Sequence, residues 1–383
     1  MSRFVTRLLN SAPWLAKYPI SRSRALIEND PATPKHLIFC IANHFEPSWK
    51  GAEMYDIDAQ KRRLEEWCGL AEKIGNVVVD SDGTKFRHTN FYPAEQYEPE
   101  ILNTLADLQN KGLGEVEVHL HHGVGSPDNA ESLRRQLVEF RDRLAEDHKC
   151  LSRVNGEGQP MYAFVHGNWA LGNSANGQYC GVDNELEILE ETGCYIDMTL
   201  PSAPDVSQVP VLNSIYECGM PHAERAPHRR EKRLRVGGDT PRLPVLITGP
   251  LLFDWSNRQA SLPLPKLENG ELAHFRKTDL RRLKLWTSAN VTVKGRPDWN
   301  FIKLHCHGFF DEDQSACIGE NAIRAFSEIV EHGERTDQYK VHFASAREVF
   351  NMIIAAVDGK TGSPGEYRNH KLTPIMSQAR GLL

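Results

Sequence analysis

Seven of the chain's 16 histidines fall in four short clusters. They are Asn43-His44-Phe45-Glu46, His119-Leu120-His121-His122, His166-Gly167-Asn168-Trp169 and His305-Cys306-His307. Each closes an apolar or β-branched run of strand length. Side chains alternate along a strand, so His119 and His121 share one face, as do His305 and His307. His44 and Glu46 share a face if the first strand runs that far. Parallel α/β folds gather their chemistry at the C-terminal ends of strands. Three such ends could therefore bring five imidazoles and one carboxylate to a single point. That donor set suits a divalent metal with one position left for water. The ion would lower the pKa of bound water from about 15.7 toward 7 and polarise a carbonyl. In this reading His44, His119 and His121 hold the metal, and Glu46 is the general base. His305, helped by His307 or Asp197, protonates the leaving group. Zinc is the first choice; nickel, cobalt and manganese stay open, because ligand type alone does not separate them.

Other groups fall where a substrate would lie. His166, Asn168 and Trp169 follow a run at 161–166, Asp197 closes CYID, and Glu95 precedes a helix opened by Pro99. Trp169, Trp255, Trp286 and Trp299 could stack on sugar faces or simply pack. The run 221–235 carries six Arg/Lys against two Glu, including Arg229 and Arg230. It reads as a solvated surface or as a clamp for an anionic substrate.

The elements that must carry these groups alternate. His36–Ala42 reads as a strand, Met54–Ile74 as a helix stopped by Gly75, and Asn76–Asp80 as a second strand. Pro99 opens a helix that Gly112 ends. Further strands are expected at 115–121, 161–166 and 194–200, with helices at 132–147 and 183–192. The pattern resumes with a strand at 301–305, a helix at 321–331, a strand at 339–343 and a helix at 346–357. Ser345 and Glu348 form a capping box for that last helix. Such alternation argues for parallel βα units, as a barrel or an open sheet. Residues 1–35 read as an extension and 205–300 as a loop-rich insertion with strands at 211–216 and 244–249. Residues 359–383 read as a loose tail, leaving one domain at 36–358.

A charge of −6 over 383 residues argues against a general nucleic-acid binder. The N-terminus lacks the run of about 7–15 apolar residues that a secretory signal needs. No stretch approaches the roughly 20 residues of a membrane span; at most the N-terminus forms a weakly amphipathic surface helix. The eight cysteines form no C-x-x-C pair, which fits reduced thiols in a cytoplasmic protein. P-loop, dinucleotide, zincin and nucleophile-elbow motifs are absent. Oligomeric state is not legible.

Phe301-Ile302-Lys303-Leu304-His305 and Val118-His119 resemble motifs of the polysaccharide deacetylase (NodB-homology) family, and Phe164–Trp169 falls where its aromatic loop should be. The resemblance spans roughly 36–205 and 300–358. It implies a distorted seven-stranded β/α barrel and metal-dependent removal of an acetyl group from an amino sugar in a glycan or its precursor. In that family the first strand supplies two aspartates; here Asn43-His44 stands in their place, with Glu46 beyond. A second metal-binding histidine four residues after His119 would fall at Gly123; His121 and His122 lie nearby. Alternatives are a glycosidase using Glu46 and Asp197, a glycan-binding relative without activity, and amidohydrolase-like chemistry, which also uses H-x-H at a barrel strand.

Overall fold

The computed structural model describes residues 10–30, 34–48, 56–258 and 265–378. In chain order its first half comprises helix α1 (Tyr18–Ile27), strand β1 (Lys35–His44), α2 (Ile57–Val77), β2 (His88–Pro93), α3 (Pro99–Asn110), β3 (Gly114–Leu120), α4 (Ala130–Glu146), β4 (Ser152–Val154), β5 (Glu157–His166), α5 (Glu185–Thr192) and β6 (Cys194–Asp197). The middle adds β7 (Ile215–Cys218), β8 (Glu231–Arg233), β9 (Val245–Ile247), β10 (Leu252–Arg258), β11 (Pro265–Glu268), β12 (Glu271–Leu272) and α6 (Leu280–Ser288). The last part holds β13 (Trp299–Cys306), α7 (Asp311–Cys317), α8 (Glu320–Thr336), β14 (Tyr339–Phe343), α9 (Ala346–Val357) and β15 (Leu372–Pro374).

Thirteen strands form one curled α/β sheet, ten of them on the path β12-β13-β1-β2-β3-β5-β6-β9-β7-β8. From β12 to β9 each neighbour runs parallel. The seven strands implied by the family resemblance are thus not the count found. The reason lies in the middle segment, which does not simply loop away. It pairs β9 with β6 at one edge and β12 with β13 at the other. The gap between β13 and the chain after β6 is bridged by buried Lys303, whose Nζ donates to Leu200 O at 3.0 Å.

Period-two alternation gives the sheet two different faces. Leu37, Phe39 and Ile41 of β1 pack with Val116, Val118 and Leu120 of β3, and with Ile302 and Leu304 of β13, against the surrounding helices. Ile38, Cys40 and Ala42 pack instead with Ala163, Val165 and Phe301 on the inner face. Helix α9, buried along its whole length, joins that inner cluster. Its capping box of Ser345 and Glu348 forms as the sequence predicts.

Two expectations change. Asn76–Asp80 is not a ladder strand: α2 continues past Gly75 to Val77, and Val79 makes only an isolated bridge to Lys85. Glycine at 75 permits a close approach, since a Cβ there would sit 2.4 Å from Leu113 Cδ2. The second parallel strand is His88–Pro93, whose HTNFYP composition hides it. The C-terminal segment, expected to be loose, is docked. Leu372–Pro374 pairs antiparallel with β4, and Arg368 bonds to Asp80 and Glu348, each at 3.1 Å. Residues 1–9, most of the expected N-terminal surface helix's basic start, and the expected helix start at Met54 lie outside the described residues. No helix among the described residues is long and apolar enough to cross a membrane.

Arg347 on α9 ties this end together. It donates to both Glu115 oxygens, at 2.7 and 3.2 Å, and to Leu372 O at 3.2 Å. Removing it strands a buried carboxylate. Arg347→Ala should cost about 3–5 kcal/mol, read as a lowered midpoint of urea unfolding; a midpoint within error of the parent would contradict this role.

Candidate functional site

The inner face ends in the histidines. His44 continues the parity of Ile38 and Ala42, His119 and His121 that of Glu117, and His307 that of Lys303 and His305. Strand register sets the ends level, with Asn43 opposite both Cys306 and Asn90. Asn43 also stitches these ends together. It accepts from Gly308 N at 2.8 Å and donates to Asn90 Oδ1 at 3.0 Å.

Glu46 lies at the centre of the group. Its Oε1 is 3.1 Å from His119 Nε2, 3.4 Å from His121 Nε2 and 4.0 Å from His44 Nδ1. The donor atoms form two triads that share it, Glu46/His119/His121 and His44/Glu46/His307. The His44 ring centroid is 4.9 Å from that of His119 and 4.6 Å from that of His307. His44, Glu46 and His119 are buried, whereas His121 and His307 are half-buried and form the mouth.

Hydrogen bonds at the far ring nitrogens decide what the near ones offer. His119 Nδ1 donates to Val165 O at 2.7 Å. His121 Nδ1 donates to Glu95 Oε1 at 2.6 Å, and its backbone N–H to Glu95 Oε2 at 3.3 Å. Both partners are acceptors only, so each neutral ring carries its proton on Nδ1 and turns an Nε2 lone pair toward Glu46. Three acceptors then face one point, and only a cation or added protons can satisfy them. Bonds of about 2.0–2.1 Å put neighbouring donors of a tetrahedral ion roughly 3.3–3.4 Å apart. The two Glu46–imidazole distances match that spacing, so the residues fit a divalent ion.

Without an ion, added protons satisfy these atoms instead, and the ionisation of the group follows from them. Burial pushes the Glu46 carboxyl up, but the hydrogen bond and charge of His119 outweigh it and hold it below the usual range. Burial, then the neighbouring His307 and His119, keep His44 well below the usual imidazole value, hence neutral. For His121 burial works against charge, and the hydrogen bond and charge of Glu95 overcome it, raising the pKa.

The other expected residues disperse. Asp197 is buried, and Thr199 occupies both of its oxygens, by its N–H at 3.1 Å and its hydroxyl at 2.7 Å. Burial pushes that carboxyl up to about 7, tempered by the Thr199 bonds. His305 is buried one step below His307, and its Nδ1 makes no hydrogen bond. His166 faces the helix layer, while Asn168 and Trp169 sit half-buried in left-handed backbone, at φ 54° and 56°. Arg229 and Arg230 line a surface groove of about 630 Å³ with Lys17, Ile20 and Arg24 of the N-terminal segment. Trp286 and Trp299 are core residues, and Trp255 is exposed. From the sequence Glu95 is legible only as a loop carboxylate. Its pairing with His121 needs the turn after β2, a strand not legible in the sequence.

No protein-family model matches the chain, and no curated protein matches it. Among solved structures it is similar to a Mycobacterium smegmatis protein provisionally described as a polysaccharide deacetylase. That match has 15% identity and a TM-score of 0.42, covering 88% of this chain and 98% of that one. A GH57-type branching enzyme from the hyperthermophilic archaeon Pyrococcus horikoshii matches at 9% identity and a TM-score of 0.39, over 82% of this chain and 69% of that one. Both are distant likenesses, and the chemistry of the site rests on its own residues.

Glu95 supplies a direct check. Glu95→Ala frees His121 to rotate and should weaken zinc binding about 10–100-fold, measured by competition with a chromophoric chelator. An unchanged affinity would contradict the orienting role.

Proposed function

We propose that the protein is a metal-dependent hydrolase that removes an acyl group from the nitrogen of an amino sugar. The observation that carries the reading is the convergence of His119 Nε2, His121 Nε2 and Glu46 Oε1 at ligand spacing beside a half-open mouth. A closed shell would suit a structural ion, whereas an open one leaves room for water and substrate. When bound, a divalent ion supplies an activated water and a Lewis acid for the acyl oxygen.

In this reading His119, His121 and Glu46 hold the ion. Glu46 therefore moves from the expected base to a ligand, since its oxygen lies where the imidazole lone pairs meet. His44, held neutral, accepts the proton of the attacking water. His307, half-buried and stacked on Phe310 at 5.3 Å, returns a proton to the leaving nitrogen. His305 backs His307 from below. Val165 and Glu95 act through the ligands by fixing their rings. The sugar as substrate is supported by the Phe301–His305 and Val118-His119 motifs. The glycosidase alternative is less favoured, because Thr199 engages both oxygens of Asp197, its second carboxylate.

Acetate release from N-acetylated glucosamine oligomers tests the proposal. Chelated protein should be inactive and regain activity with added zinc. His307→Ala should lower kcat about 10²–10⁴-fold while metal content stays at the parental level. Full activity after complete metal removal, or in His307→Ala, would overturn the assignment.

A further inference from the structure

A second group of donors lies on the other face of the same strands. His122 continues the parity of Leu120, and His166 that of Phe164, both of which pack toward the helices. Glu185, the first residue of α5, and Cys180, on the segment between β5 and α5, complete it. One ligand atom from each of the four lies within 4.8 Å of the others, and all four residues are buried. His122 Nε2 is 3.0 Å and His166 Nε2 3.4 Å from Glu185 Oε1, and Cys180 Sγ is 3.5 Å from Glu185 Oε2.

The far nitrogens are again pinned by acceptors. His122 Nδ1 lies 3.2 Å from Asp128 Oδ2, and His166 Nδ1 bonds the carbonyl of Gly167. His166 Nε2 is buried, points into the group and makes no hydrogen bond. An imidazole lone pair turned toward a buried carboxylate costs free energy unless a cation stands between them.

We propose that His122, His166, Cys180 and Glu185 bind a second zinc ion, structural rather than catalytic. The set is two imidazoles, one thiolate and one carboxylate, each a zinc donor, and the thiolate favours a soft ion over calcium or magnesium. Binding would release two protons to solvent, one from the Cys180 thiol and one from Nε2 of His122. Burial works against charge on that ring, but its hydrogen bonds to Asp128 and Glu185 otherwise hold it charged. Thiolate and carboxylate together then carry −2 against the ion's +2, so the buried site is neutral, as its burial requires. Four protein ligands close the shell, in contrast with the half-open mouth on the inner face. The ion would fasten the loop after β3 to the segment after β5. Those two stretches already meet closely: a Cβ on Gly123, at φ +67°, would lie 2.2 Å from Cys180 O. Glu185 Oε2 also accepts from Gly172 N at 2.6 Å, fixing the same segment.

Cobalt substitution of the full chain tests this site separately from the inner one. With Co²⁺ in place of the native ion, a thiolate-to-cobalt charge-transfer band is expected in the near ultraviolet. It should persist in His119→Ala, which removes a ligand of the inner site only, and vanish in Cys180→Ser. No band in the cobalt-saturated parent, or a band that survives Cys180→Ser, would overturn the proposal. Failure of the inner-site reading would show instead as an unchanged cobalt count in His119→Ala. If Cys180→Ser does not fold, alkylation of the parent followed by peptide mapping decides. Cys180 should be protected with metal bound and labelled after chelation; equal labelling in both states overturns the assignment.

Discussion

His119 Nε2 and an oxygen of Glu46 face each other across 3.1 Å, with His121 Nε2 turned to the same oxygen at 3.4 Å. Such a contact is satisfied by a cation or by added protons between the atoms. Much of the surrounding structure serves to keep it in place. Val165 O and Glu95 hold the far nitrogens, and Asn43 locks the ends of β1, β2 and β13 in step. The register of four parallel strands brings residues far apart in sequence to one mouth.

The alternation of strand side chains has a second consequence. The strand ends that present His119 and His121 inward present His122 outward, and β5 ends on His166 facing the same way. One run of sequence, His119-Leu120-His121-His122, thus serves both faces of a sheet. The two donor groups differ in what surrounds them. The inner one meets solvent through His121 and His307, whereas the outer one is sealed beneath α5 and the segment that precedes it. Openness separates a place for chemistry from a place that holds loops together.

Legibility in the sequence followed the physics of each signal. The apolar runs of β1 and β13, the Pro99 start of α3 and the Ser345 cap of α9 are local features, and each of them reads from the chain alone. The inner convergence of His44, Glu46, His119, His121 and His307 follows from strand parity. What the sequence conceals is non-local. β2 carries polar and aromatic residues whose hydrogen bonds are made across the sheet, so HTNFYP looks like a loop. In the middle segment β9 forms within the expected strand at 244–249, whereas β12 is only two residues long and gains its stability from pairing with β13. Cys180 and Glu185 become donors only because the segment after β5 folds back over His122, a closure that no spacing rule encodes.

Locating bound zinc directly tests the central claim. Anomalous difference density at the zinc edge, from crystals of the full chain grown with zinc, should peak within about 2.0–2.2 Å of His119 Nε2, His121 Nε2 and a Glu46 oxygen. Zinc-saturated crystals without a peak there, in which Glu46 instead bonds the protonated imidazoles, would contradict it.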